Sequence, residues 1–126
     1  MANVVTPLRT VIPEGIPDSA TVKHGDLVFT AGLVPVDPGT GEVKLASFEE
    51  EARMTLNALR TVLEAADSSL DRVIKITVYL QDVRDYLAWN EIYAEYFHPP
   101  YPARACIQAA NMPFDVRVQI DAVAHV

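Results

Sequence analysis

Between Ser47 and Leu80 the apolar residues change from the period of a helix to that of a strand, and no other stretch limits the possible folds so sharply. Phe48, Ala52, Thr55, Leu56, Leu59, Val62, Leu63 and Ala66 recur at helical spacing, which predicts a helix from about Ser47 to Ala66 with one buried face. Ser47 can cap its start, and Glu50 stands three residues on as the capping-box partner. Glu49, Glu50 and Glu51 put negative charge at the positive end of the helix dipole, which explains this cluster better than a metal site does. The run "RVIKITVYL" then alternates as a strand does, with Ile74, Ile76, Val78 and Leu80 on one side and Lys75, Thr77 and Tyr79 on the other. A helix with so broad an apolar face needs a flat partner, and a sheet supplies one.

The rest of the chain extends this pattern. "LRTVI" reads as a short strand, and "ATVKHGDLVFTAG" as two strands joined at His24, Gly25 and Asp26. "VDPGTGE" is a loop, and "QDVRDYLAWNEIYAEYF" is a second helix stopped by Pro99 and Pro100. "ARACIQA" and "DVRVQIDAVAHV" read as two closing strands. The expected order is β, β, β, α, β, α, β, β within one domain spanning 1–126, with both helices on one face of the sheet.

Parity then assigns the other face. In the last strand Val116, Val118, Ile120, Ala122 and Ala124 point towards the helices, leaving Arg117, Gln119, Asp121 and His125 opposite. In "ARACIQA" the apolar set is Ala103, Ala105, Ile107 and Ala109, so Arg104, Cys106 and Gln108 are expected to share the helix-free face with Asp121. Solvent is the ordinary covering for such a face. A mixture that also includes Cys106, Val73 and Tyr79 argues instead for burial between subunits, where trapped polar groups would form a site. A hairpin joining the last two strands would put Arg104 beside Asp121, but the loop "AANMPF" is long enough to cross another strand.

Charge and cysteine content remove several classes of function. A formal charge of −7 with ten scattered basic residues disfavours nucleic acid, whose binding depends on clustered Lys and Arg. The single cysteine, Cys106, excludes an intrachain disulfide, and no Cys/His spacing suggests zinc, so no metal and no cofactor are expected. The first residues lack the basic-then-apolar order of a secretory signal, and no run nears the roughly 20 apolar residues that span a bilayer. No membrane association is expected, and the expected compartment is the cytoplasm.

Four stretches together resemble the RidA family of reactive-intermediate deaminases, also called YjgF/YER057c/UK114. They are "GDLVFTAGLVPVDPGTGEV", "VIKITVYLQDVRDY", "WNEIYAEYFHPPYPARACIQ" and "MPFDVRVQIDAVA", and the likeness runs from about Gly15 to the end. The resemblance implies an α+β, chorismate-mutase-like fold: a mixed six-stranded sheet with two helices packed on one face, assembled as a homotrimer. It implies three equivalent clefts between subunits, and a last strand inserted beside the third and fourth, which rules out the hairpin. It also implies hydrolysis of enamines and imines, such as 2-aminoacrylate, to a 2-keto acid and ammonia.

The same resemblance distributes roles. Arg104 matches the arginine that grips a substrate carboxylate, a task suited to a planar fork of donors. Cys106 matches a cysteine whose backbone touches substrate, and Asn90 an asparagine lining the cleft. Asp121 stands where the family has a glutamate and is the expected catalytic carboxylate beside Arg104. Two positions depart from the pattern. Asp18, in "IPDSA", replaces a tyrosine, and Ala31, in "TAG", replaces a serine, which implies a substrate other than 2-aminoacrylate. The competing reading is a trimer that binds a small carboxylate without turnover. The ribonuclease activity sometimes attached to the family suits an acidic chain poorly.

Overall fold

The computed structural model describes residues 4–6 and 17–126. The expected strand "LRTVI" lies outside the described residues. Strands β2 (Thr21–His24), β3 (Leu27–Thr30), β4 (Val73–Leu80), β5 (Ala103–Gln108) and β6 (Val118–His125) form a mixed sheet in the order β2-β3-β6-β4-β5, and a three-residue strand, β1 (Val4–Thr6), pairs with β2. Only β4 and β5 run parallel. β6 lies between β3 and β4, so β5 and β6 are not neighbours and the hairpin does not form. Helices α1 (Phe48–Ala65) and α2 (Tyr86–Tyr96) both pack on one side. Among the described residues no helix is long and apolar enough to cross a membrane.

Local chemistry accounts for these elements. Gly25, at φ +61°, takes the left-handed conformation that lets β2 turn directly into β3. Ser47 caps α1, its Oγ accepting from the Glu50 amide at 3.2 Å. The returning carboxylate comes from Glu51 rather than Glu50: it is 1% exposed, and Oε2 accepts the Ala46 N–H at 3.0 Å. Glu51 therefore faces inward with Ala52 and Thr55, where it can tie three segments together, whereas Glu50 stays exposed. Asp82 holds a short 3₁₀ turn, Val83–Asp85, ahead of α2, so the second helix begins later than its sequence pattern implies.

The core sits between α1 and the sheet. Leu56, Leu59, Val62 and Leu63 meet Ile76, Val78, Leu80, Val118, Ile120 and Ala122, all almost fully buried. Each buried Leu or Ile stabilises the fold by about 1.5–3 kcal/mol. The alternation expected for β6 holds, since Val118, Ile120, Ala122 and Ala124 are buried and Gln119, Asp121 and Val123 are half-exposed. That of β4 does not hold at its start. A bulge shifts the register with β6 between Val73 and Lys75, so Val73 turns inward at 8% exposure and Ile74 outward at 45%.

Candidate functional site

Arg104 enters from β5, and the β4–β5 register decides where it points. Ile76 pairs with Arg104, Val78 with Cys106 and Leu80 with Gln108. Paired residues in a sheet share a face, so Arg104, Cys106 and Gln108 lie on the helix side, and Ala103, Ala105 and Ile107 lie on the open side with Lys75, Thr77 and Tyr79. This reverses the expected assignment of β5. As the edge strand it extends beyond the cover of α1, and its small alanines do not require burial, so composition misreads its orientation.

On the helix side Arg104 meets one stripe of α2. Tyr86, Asn90 and Tyr93 follow one another at helical intervals and all reach the guanidinium. Nη2 donates to Asn90 Oδ1 at 2.8 Å and to the Tyr86 hydroxyl at 3.2 Å. The guanidinium carbon lies 4.8 Å from the centre of the Tyr93 ring and 5.7 Å from that of Tyr86, within the range of cation–π attraction. Tyr93 is itself stacked on Phe97, 4.4 Å centre to centre. The arginine thus has a fixed direction before any ligand arrives, and among the described residues Nε and Nη1 donate to nothing. Arg104 borders a shallow cavity of about 310 Å³ that Asn90, Tyr93, Ala94, Tyr101 and Pro102 also line.

This cavity suits an anion with an organic body, since its lining combines one guanidinium with the rings of Tyr93 and Tyr101. Burial pushes the Tyr93 phenol up to about 12, against the opposing pull of Arg104, so it stays a neutral hydroxyl. Burial also raises the Cys106 thiol, and Arg104 offsets this only in part. A thiolate nucleophile is therefore disfavoured at neutral pH.

Asp121 occupies the other face. It pairs with Thr77, beside Tyr79, in the half of the sheet without helices. Burial raises its carboxyl above the ordinary range, and a hydrogen bond from Tyr79 lowers it. Ala31 follows the last residue of β3, where the register with β6 shifts by one residue, since Phe29 pairs with Val123 and Leu33 with Ile120. The Ala31 amide donates to Ala20 O at 2.9 Å, two residues beyond the exposed Asp18.

One chain thus carries two separate groups. The structure joins Arg104 with Asn90 and places Cys106 on the same face. Asp121 lies on the opposite face and is not brought to Arg104. Tyr86 and Tyr93 are the residues that sequence reasoning missed, although their spacing around Asn90 on a helix could have identified them.

The family model described as endoribonuclease L-PSP matches residues 16–126. A RutC family protein of Pyrococcus horikoshii is 42% identical over 109 residues, covering 86% of each chain. The Escherichia coli protein TdcF, whose name places it among reactive intermediate deaminases, is 39% identical over 106 residues, covering 82% of this chain and 81% of its own. A crystal structure of E. coli TdcF with bound serine superposes with a TM-score of 0.88 at 33% identity, covering 98% of both chains.

Proposed function

This chain belongs to the endoribonuclease L-PSP family, the group that includes RidA, and on that premise we propose that it is a cytoplasmic enamine/imine deaminase. Its substrate is a small carboxylate-bearing 2-imino acid or the corresponding enamine, and its products are a 2-keto acid and ammonia. The observation that carries this reading is the preset guanidinium of Arg104 at a cavity that Tyr93 and Tyr101 also line. The serine bound to TdcF supports it, since an amino acid presents the same carboxylate beside a nitrogen-bearing carbon.

Arg104 takes the substrate carboxylate through two parallel, charge-assisted hydrogen bonds, and Asn90 and Tyr86 hold the fork in place. Backbone groups at Cys106 line the same strand. Asp121 acts as the general base: it takes a proton from a water that adds to the C=N carbon and gives it to nitrogen, forming the carbinolamine. It then takes the carbinolamine hydroxyl proton as the carbonyl forms and gives that to the departing ammonia. Its raised carboxyl is closer to the working range of such a base than an ordinary aspartate. The two groups lie on opposite sheet faces of one chain, which supports clefts formed between subunits of a homotrimer, Arg104 from one and Asp121 from the next. Asp18 and Ala31, which stand where the family pattern has a tyrosine and a serine, would select the substituent and amine of the substrate.

The test supplies imines in situ from an amino-acid oxidase and follows keto-acid release. A rate above buffer that falls about ten- to a hundredfold in Arg104→Ala is expected, in line with a lost hydrogen-bonded ion pair. No acceleration across a panel of imines, with carboxylates still binding in calorimetry, would replace the enzyme with a non-catalytic carboxylate binder.

A further inference from the structure

The Arg104 cavity is one-sided in its chemistry. Its only charged side chain is the guanidinium, and neither a carboxylate nor a second cation lines it. The amide oxygen of Asn90 is already taken by Arg104. Tyr93 is 5% exposed, is stacked on Phe97 and lies against the guanidinium with its hydroxyl buried, so it presents a fixed ring and little else. Tyr101 differs, being 57% exposed on the same cavity, and among the described residues its ring stacks on no other. A single exposed aromatic is ordinary on a protein surface. What sets this one apart is its mounting between Pro100 and Pro102 in "PPYPAR". Each proline fixes its own φ, and Pro102 also confines Tyr101 to extended backbone. A ring with two side-chain torsions on so stiff a segment loses little freedom when a ligand packs against it. The cavity volume of about 310 Å³ falls in the range of roughly 300–1,000 Å³ in which small-molecule sites enclose ligands much larger than a three-carbon acid.

We propose that Tyr101 is a specificity-determining residue and that the preferred substrates are 2-imino acids with a bulky, uncharged side chain, aromatic ones above all. The carboxylate rests on Arg104, and the side chain lies along Tyr101 and Pro102. A methyl group covers little of the Tyr101 ring, whereas an aromatic side chain can stack on it or meet it edge to face. An acidic side chain finds no cation beyond the one its own carboxylate occupies, and a basic one finds no carboxylate, so both are disfavoured. The inference rests on the deaminase reading for turnover, and on the cavity alone for the order of affinities.

The experiment uses the full chain as wild type, Tyr101→Ala and Tyr101→Phe; the side chain is exposed, so both variants should melt as the wild type does. Imines of phenylalanine, alanine and glutamate are formed in situ by an oxidase at matched rates, and each rate is taken relative to that imine in buffer. In the wild type, kcat/KM for the phenylalanine imine should exceed that for the alanine imine by about tenfold or more, with the glutamate imine lowest. Tyr101→Ala should narrow the first ratio about three- to tenfold, the range of one aromatic contact, and Tyr101→Phe should keep most of it. Calorimetry with phenylpyruvate and pyruvate should give the same order of affinities and the same narrowing. A wild type that treats the phenylalanine and alanine imines alike overturns the proposal, as does a ratio that Tyr101→Ala leaves unchanged. Tighter binding of phenylpyruvate that depends on Tyr101, in a protein that hydrolyses none of the imines, would sustain the specificity while sinking the deaminase reading.

Discussion

Arg104 and Asp121 stand on opposite faces of one sheet, although both belong to strands that pair with β4. Arg104 shares the side of Ile76, and Asp121 shares that of Thr77, the next residue along. The sheet itself separates them, so a substrate held by the arginine of one chain is shielded from the aspartate of that chain. Any chemistry that needs both groups must draw them from two copies. Asn90 and the rings of Tyr86 and Tyr93 fix the direction of Arg104 within its own chain, with no contribution from Asp121.

Removing parts of that fixation should change substrate affinity in graded steps. Asn90→Ala takes away the 2.8 Å acceptor and should raise KM about tenfold, near the typical worth of one hydrogen bond to a charged group. Tyr86→Phe keeps the ring and loses only the 3.2 Å hydroxyl contact, so about threefold is expected, with a larger loss in Tyr86→Ala. Steady-state kinetics on the folded variants decides it. Unchanged KM in all three would mean that Arg104 does not meet substrate from this position.

Cys106 should be slow to react. Burial raises its thiol, so the thiolate fraction at pH 7 lies below that of a free cysteine and grows only as pH passes above the ordinary thiol range. Iodoacetamide labelling of the native protein at pH 7 should therefore lag far behind labelling in denaturant, and Cys106→Ala should keep its turnover. Fast labelling coupled to loss of activity would restore the cysteine as a nucleophile.

The legible parts of this protein were those where burial is strong. The α1 face, the alternation of β6 and the two-residue turn at Gly25 and Asp26 all follow from period and residue type, because each buries one side completely or needs one backbone conformation. The β5 strand was misread because its alternating residues, Ala103, Ala105 and Ile107, are apolar yet lie on the open face, while Arg104 lies on the helix side and is only partly covered. Hydrophobicity cannot orient an edge strand whose two faces are both half-exposed; only its register with β4 can. The Val73–Ile74 reversal has a similar origin, since a bulge shifts parity by one residue and two adjacent β-branched side chains give no sign of it. Family likeness supplied Arg104 and Asn90 but not Tyr86 or Tyr93, whose helical spacing around Asn90 marks them in the sequence and whose contact with Arg104 appears once α2 is laid against β5.

Glu51 should be the most costly surface-independent charge to remove. Its carboxylate accepts from the Ala46 amide at 3.0 Å and from the Arg117 amide at 2.8 Å, with Arg117 Nε at 3.6 Å, and so joins the loop before α1 to the start of β6. Glu51→Ala leaves two partly buried N–H groups without their acceptor and is expected to cost about 2–4 kcal/mol, a fall in Tm of about 6 °C or more. Glu51→Gln should cost less, because one carbonyl oxygen remains, but its amide group then faces a backbone N–H as a second donor. Calorimetric melting of both variants tests this order, and a Gln variant as unstable as Ala would show that charge, and not acceptor count, holds the junction.

If Arg104 of one subunit serves Asp121 of the next, two inactive variants should rescue each other. Arg104→Ala chains carry a sound aspartate and Asp121→Asn chains a sound arginine, and neither alone can build a complete cleft. When they are mixed in equal amounts and reassembled, about three quarters of cyclic trimers contain both chains, and each of these has one interface where an intact Arg104 faces an intact Asp121; about a quarter of the wild-type rate should therefore return. The separation of the two residues across one sheet forbids this recovery by any route within a single chain, since each chain is still missing one group. Keto-acid release before and after mixing measures it directly. A mixture as inactive as its parts, in material shown by native mass spectrometry to have exchanged subunits, would place both residues in the service of one chain or remove one of them from the reaction.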